Sequence, residues 1–316
     1  MAEHWAHIPE RKGILGLRFL FWCYRYFGYR LISWLLRPVA LIFYLSSRSH
    51  RRASQQYLAQ VSSTALVQSV ELARLSGYAH FLRFAHAILD KLASWSGDWR
   101  FGEQVVYAAD TPCRLQPSGK RGCVILASHL GDIEVCRALT SDVGLTVHAL
   151  VFNRHARGFN QLLMEVNPQV EVNLIQVDQL GPDTAILLKE KIDQGDWVAI
   201  VGDRIPLQVN QVSRADRVVW SEFLGKSAPF PQGPFILAAL LKCPVYLMFA
   251  LKKCQQIEIY CELFADPLSL PRSDRVAGLQ KAVDQYAQRL SHYCLKSPYD
   301  WFNFYDFWSL PKQGKT

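Results

Sequence analysis

The chain reads as an α/β protein: a mixed, mostly parallel sheet flanked by helices, preceded by an N-terminal membrane-associated helical segment. Three observations predict it. Short apolar runs rich in β-branched residues alternate with helical-length segments through most of the chain. Half of the residues are hydrophobic and only 20% are charged, so the chain is greasier than a typical cytosolic enzyme. The first fifty residues are instead dense in Leu, Phe, Trp and Tyr interrupted by arginines.

Within residues 14–45, Arg18, Arg25, Arg30 and Arg37 break every long apolar window, and Pro38 is expected to kink or end the helix. A cleaved signal sequence would have a shorter apolar core without internal arginines. Interleaved Trp22, Tyr24, Tyr26, Tyr29 and Trp34 suit a helix lying at headgroup level, and a spanning helix with snorkelling ends is the alternative. Arg48, Arg51 and Arg52 form a basic cluster suited to an anionic cytoplasmic leaflet. Residues 1–52 are therefore assigned to the membrane-associated segment and 53–316 to the α/β domain. Helical periodicity over 55–92, broken near Ser76-Gly77, predicts two further helices.

Strands are then predicted at 104–108, 123–127, 146–151, 170–176, 197–201, 217–223, 244–250 and 256–263. Helices are predicted at 133–141, 158–166, 184–194, 234–242 and 273–295. At 316 residues there are no internal repeats or low-complexity linkers. The eight cysteines include no CxxC pair and several sit in apolar runs, which points to a reducing compartment without a disulfide framework or zinc site. The formal charge of +8 fits an anionic membrane face or an acidic protein partner. Nucleic acid is disfavoured, because no zinc finger, RNA-recognition signature or Lys-rich tail occurs.

The candidate chemistry centres on Ser128-His129-Leu130-Gly131-Asp132-Ile133-Glu134, which follows the buried run Cys123–Ala127 and opens a helix. His129 then stands at a strand-to-helix corner, where an open sheet exposes side chains to a crevice. A histidine oriented by a carboxylate is a general base, and Glu134 is the expected partner, with Asp132 the alternative. Asn153-Arg154-His155-Ala156-Arg157 follows another strand, and guanidinium forks there suit a phosphate or an acyl-carrier group. Gly202-Asp203-Arg204 ends the strand at 197–201, and Asp203 and Arg204 are read as shaping or positioning groups. Between Phe223 and Phe235, Gly225, Gly233 and the prolines, Pro229 among them, predict a constrained loop before an apolar helix. Its backbone N–H groups suit an oxyanion or the lining of an apolar tunnel. No second histidine lies at helical spacing from His129, which argues against a metal enzyme.

The His129-x4-Glu134 segment resembles the His-x4-(Asp/Glu) motif of the lysophospholipid acyltransferase superfamily. More specifically, the chain looks like its lipid A lauroyl/myristoyl acyltransferase branch, and the resemblance runs from about Trp5 to Trp308. Phe223, Gly225, Ala228, Pro229 and Gly233 resemble a second family motif, although Ala228 follows Ser227 where the family has a hydroxyl beside the proline. Pro298 to Trp308 is similar to the ending of acyltransferases encoded in aryl polyene clusters, and is read here as a packed terminal cap.

The resemblance implies a glycerolipid acyltransferase-like fold and His129 and Glu134 as the catalytic pair. It implies Arg154, Arg157, Asp203, Arg204, Gly225, Pro229 and Gly233 at the substrate site. It also implies transfer of a fatty or polyene acyl chain from acyl carrier protein, or from coenzyme A, to a lipid or glycolipid acceptor. That chemistry takes no cofactor or metal beyond the thioester co-substrate, and belongs at the cytoplasmic face of a bacterial inner membrane. A thioesterase built on the same pair and a non-enzymatic membrane adaptor are the rival readings.

Overall fold

The computed structural model describes residues 10–114, 121–132, 135, 144, 146–151, 174–176, 182–205 and 217–308. It is an α/β protein whose seven-stranded mixed sheet is mostly parallel and flanked by helices. The strands of that sheet are β1 (Val105–Tyr107), β2 (Cys123–Ala127), β3 (Val147–Val151), β4 (Leu174–Gln176), β5 (Trp197–Val201), β8 (Val245–Lys253) and β9 (Gln256–Ala265). Their order is β1-β9-β8-β2-β5-β3-β4, and only the β8–β9 pair is antiparallel.

Alternation along the strands explains the two cores. Val124 and Leu126 of β2 join Val198, Ile200, Leu247 and Phe249 on one face, beneath α2 (Arg48–Val67), α5 (Gly233–Leu241) and α6 (Arg275–Lys296). Cys123 and Ile125 join Trp197, Met248 and Ala250 on the other, where α1 (Glu10–Ser46) and α3 (Gly77–Trp95) pack. A further helix, α4 (Pro182–Asp193), leads into β5. Two-sided burial is why these strands read as continuous apolar runs.

Two expectations are corrected. Pro38 does not end α1: the helix continues through it, and the break falls at Gly28, whose φ of 71° and ψ of 172° suit glycine. The segment expected to be a loop after Phe223 is instead a strand, β7 (Lys226–Pro231), paired antiparallel with β6 (Val218–Phe223) in a separate two-stranded sheet. Leu224 and Gly225 make the two-residue turn with φ of 51° and 73°, the left-handed pair a type I′ hairpin requires. Phe223 and Lys226 flank that turn as a hydrogen-bonded pair, so alternation puts Pro229 and Pro231 at positions that donate nothing to the ladder. The prolines therefore cost this strand no ladder bond.

The end of α1 is also more specific than a basic cluster. Arg48 and Arg52 are exposed, but Arg51 turns back and donates to the carbonyls of Tyr44 and Leu45 at 3.1 and 3.2 Å. It thereby satisfies acceptors that the helix end leaves open. Among the described residues no single helix is long and apolar enough to cross a membrane. The bent pair 18–46 and 48–67, meeting at 97°, passes that test by length and composition.

Candidate active site

β2 and β5 are parallel neighbours with Ala127 opposite Val201. Two residues beyond that pair, at the carboxyl edge of the sheet, stand His129 and Asp203. This is where open α/β sheets present their functional groups. His129 Nδ1 lies 2.8 Å from Asp203 Oδ1, and the His129 backbone N–H donates to Oδ2 at 2.8 Å. The indole N–H of Trp301 donates to the same Oδ2 at 2.9 Å.

Three donors thus converge on one fully buried carboxylate. Burial works against its ionisation, but its pairing with His129, through side chain and backbone, and the bond from Trp301 outweigh it, and Asp203 stays below the usual carboxylate range. An ionised Asp203 accepts a proton bond from Nδ1, which fixes the Nδ1–H tautomer and leaves the Nε2 lone pair available. Nε2 makes no hydrogen bond among the described residues, and the His129 side chain is 28% exposed. Burial, then the Arg204 charge, push the imidazole below its ordinary value despite Asp203, so it is neutral near pH 7. A neutral, oriented imidazole with one open nitrogen is equipped to take a proton.

The corner itself is pinned. Gly131 has φ of 79°, its N–H donates to the Asp300 carbonyl at 2.7 Å, and a Cβ there would sit 1.9 Å from the Ala250 carbonyl oxygen. Asp132 N–H donates to that Ala250 carbonyl at 2.9 Å. On the β5 side, Gly202 makes room for the Tyr286 ring, whose hydroxyl donates to the Ala127 carbonyl at 2.8 Å.

Of the residues expected at the site, the structure brings His129, Asp203 and Arg204 together, with Arg204 over the Tyr305 ring at 5.9 Å. Asp132 is buried and faces Lys91 at 3.5 Å. Glu134, Arg154 and Arg157 lie outside the described residues, as do the helix expected at 158–166 and most of that at 133–141. Gly225 is in the hairpin turn, Pro229 in β7 and Gly233 at the first position of α5. The hairpin reaches the site through packing: Phe223 meets Trp301 at 5.0 Å and Trp308 at 5.7 Å between ring centroids.

Two features escaped sequence reading. Trp301 was grouped with the tail aromatics as packing, and nothing local marks its indole as an Asp203 donor. The second is an ionic network beneath the corner. Arg83 meets Asp300 at 2.6 Å and Asp90 at 3.3 Å, Lys252 meets Asp90 at 3.2 Å, and Tyr29 donates to Asp90 at 2.6 Å. Asp90 and Asp300 are buried, so the cations are what make their burial tolerable. The sequence signal for this network is the set of charged residues at 83, 90 and 91 within a mostly apolar helix.

No known protein family matches the chain, and no match emerged from a comparison with curated proteins. Among the described residues no group of three or more His, Cys, Asp or Glu side chains is arranged to hold a metal ion.

Proposed function

We propose that the protein is a membrane-associated acyltransferase, with a glycerolipid acyltransferase-like fold, that moves an acyl chain from a thioester to a hydroxyl or amine of a lipid or glycolipid. One observation carries the reading: a neutral histidine at the carboxyl edge of the sheet, held through Nδ1 by a buried carboxylate, with Nε2 open. The resemblance of residues 129–134 to the His-x4-(Asp/Glu) motif supports it, with Glu134 as a second carboxylate of the centre.

In this mechanism Nε2 of His129 takes the acceptor's proton as that oxygen or nitrogen attacks the thioester carbonyl. The tetrahedral intermediate collapses, expelling the thiolate, and the imidazolium returns the proton to sulfur. Asp203 keeps the imidazole in the right tautomer and stabilises its charged form. Arg204, close enough to depress His129, offers positive charge to the oxyanion, as does Arg154 on the strength of the resemblance. The chemistry calls for no nucleophilic Ser or Cys.

The acceptor's location rests on α1. Tyr24, Ile32, Leu36 and Ala40 face the protein, while Phe19, Trp22, Tyr26, Leu31, Trp34, Ile42 and Phe43 are exposed. Arg18, Arg25, Arg30 and Arg37 are exposed among them. An apolar surface of that extent with interspersed cations fits an anionic bilayer surface; the resemblance implies the cytoplasmic face of a bacterial inner membrane. An acyl carrier protein, being acidic, fits the basic balance of the chain as donor.

The test is a product assay with purified protein, labelled acyl-carrier protein and bacterial lipid extract. Acylated lipid, formed only when extract is present, is the expected result. Free acid released at the same rate without extract identifies a thioesterase. An intact thioester with retained vesicle binding identifies a membrane adaptor.

A further inference from the structure

Trp301 is fully buried and packs on aromatic rings, with centroids 4.8 Å from Tyr57, 5.0 Å from Phe223 and 4.9 Å from Phe307. Phenylalanine offers such a niche similar chemistry; what tryptophan adds is an N–H that needs an acceptor when buried. That donor is spent on Asp203 Oδ2.

The main chain around Trp301 is tied to the same corner. Residues 130 and 301 form an antiparallel bridge, the Phe302 N–H donates to the His129 carbonyl at 2.9 Å, and the Asp300 carbonyl accepts from Gly131. The Trp301 carbonyl in turn accepts from His80 Nε2 at 2.9 Å, and His80 Nδ1 lies 2.9 Å from the Ser54 hydroxyl. One short stretch of the tail therefore grips both members of the pair, His129 through its backbone and Asp203 through its carboxylate.

We propose that Trp301 is a positioning residue of this site: its indole N–H holds the Asp203 carboxylate in the rotation that presents Oδ1 to His129 Nδ1. The inference rests on His129 being the base. Without the indole N–H, Asp203 loses the donor that fixes its rotation and disperses its charge, so Oδ1 is less well aligned on His129 Nδ1 while the carboxylate charge is less shared. Its negative charge then favours the imidazolium more strongly, so His129 titrates higher. The other groups facing His129 stay in place: Arg204 beside Asp203, and Lys91 from α3. So do Tyr286 and Cys294 of α6 and Tyr305 of the tail, which face Asp203.

The experiment uses the full chain with Trp301 replaced by benzothienylalanine, which keeps the bicyclic shape and exchanges N–H for sulfur, with Trp301→Phe as a second variant. Histidine nitrogens are labelled with ¹⁵N, and the His129 signals are identified by their loss in His129→Gln. The expected result is a His129 midpoint raised by about half a unit or more, at a melting temperature close to that of the unaltered protein. The acid limb of kcat/KM moves by the same amount, and kcat falls about tenfold with KM little changed. In the unaltered protein the Trp301 indole resonance shifts across the His129 midpoint. An unmoved midpoint with a flat indole resonance reduces Trp301 to packing and overturns the proposal. Should the unaltered protein turn over no thioester, the functional reading falls, and the nitrogen titration still decides the role of Trp301.

Discussion

Replacing Asp203 by asparagine inverts the tautomer of His129, and the geometry says why. Oδ2 receives two N–H donors that cannot be reversed, the His129 backbone at 2.8 Å and the Trp301 indole at 2.9 Å. The asparagine carbonyl must take that place, which turns its NH₂ toward Nδ1, 2.8 Å from the remaining oxygen position. Nδ1 then accepts, Nε2 carries the proton, and the open nitrogen is no longer a base. The same exchange in a catalytic triad lowers turnover by about 10⁴-fold. Here a fall of roughly 10³–10⁴ is expected, about 4–5 kcal/mol at 1.36 kcal/mol per decade. Shape and most hydrogen bonds survive, so the melting temperature changes little. The assays are thioester turnover and the ¹⁵N shifts of His129, which report the tautomer directly. A folded Asp203→Asn protein that keeps a tenth of its turnover, or an Nδ1 proton, refutes the reasoning.

Other perturbations have defined outcomes. Gly131→Ala puts a methyl 1.9 Å from the Ala250 carbonyl at a positive φ, and is expected to cost about 3 kcal/mol or more in urea unfolding. Asp90→Asn leaves Arg83 and Lys252 short of their shared anion and is expected to destabilise by about 3–5 kcal/mol, read as a lower melting temperature. His80 is fully buried and burial lowers its pKa to about 4, against 6.5 when exposed. The unfolded chain binds the extra proton between those values, so this contribution is complete above about pH 6.5 and fades as the pH falls to about 4. It amounts to about 3 kcal/mol. His80→Gln is expected to flatten stability over that interval, and an unchanged slope contradicts it.

How much was legible in the sequence differs from element to element. The corner bearing His129 was visible because the apolar run Cys123–Ala127 gives way at once to Ser-His-Leu-Gly, a local signal. Asp203 was visible as a residue ending the strand Trp197–Val201, but its bond to His129 was not. That bond depends on β2 and β5 being neighbours although 74 residues separate the pair, and strand order is a property of the sheet. The hairpin strand β7 was masked by its prolines, which read as a loop until the register shows them at non-donating positions. Gly28 rather than Pro38 breaks α1: the helix continues through the proline, whereas a φ of 71° at Gly28 lies outside helical geometry. Trp301 was hidden by its company, since a donor among many aromatics carries no pattern of its own.

Turnover by His129→Gln addresses the account most directly, measured against the unaltered protein at saturating acyl thioester and lipid acceptor. The account predicts a loss of about 10³-fold or more with fold and vesicle binding retained. Turnover within tenfold of the unaltered protein contradicts it, because the proposed mechanism routes the proton through that imidazole alone.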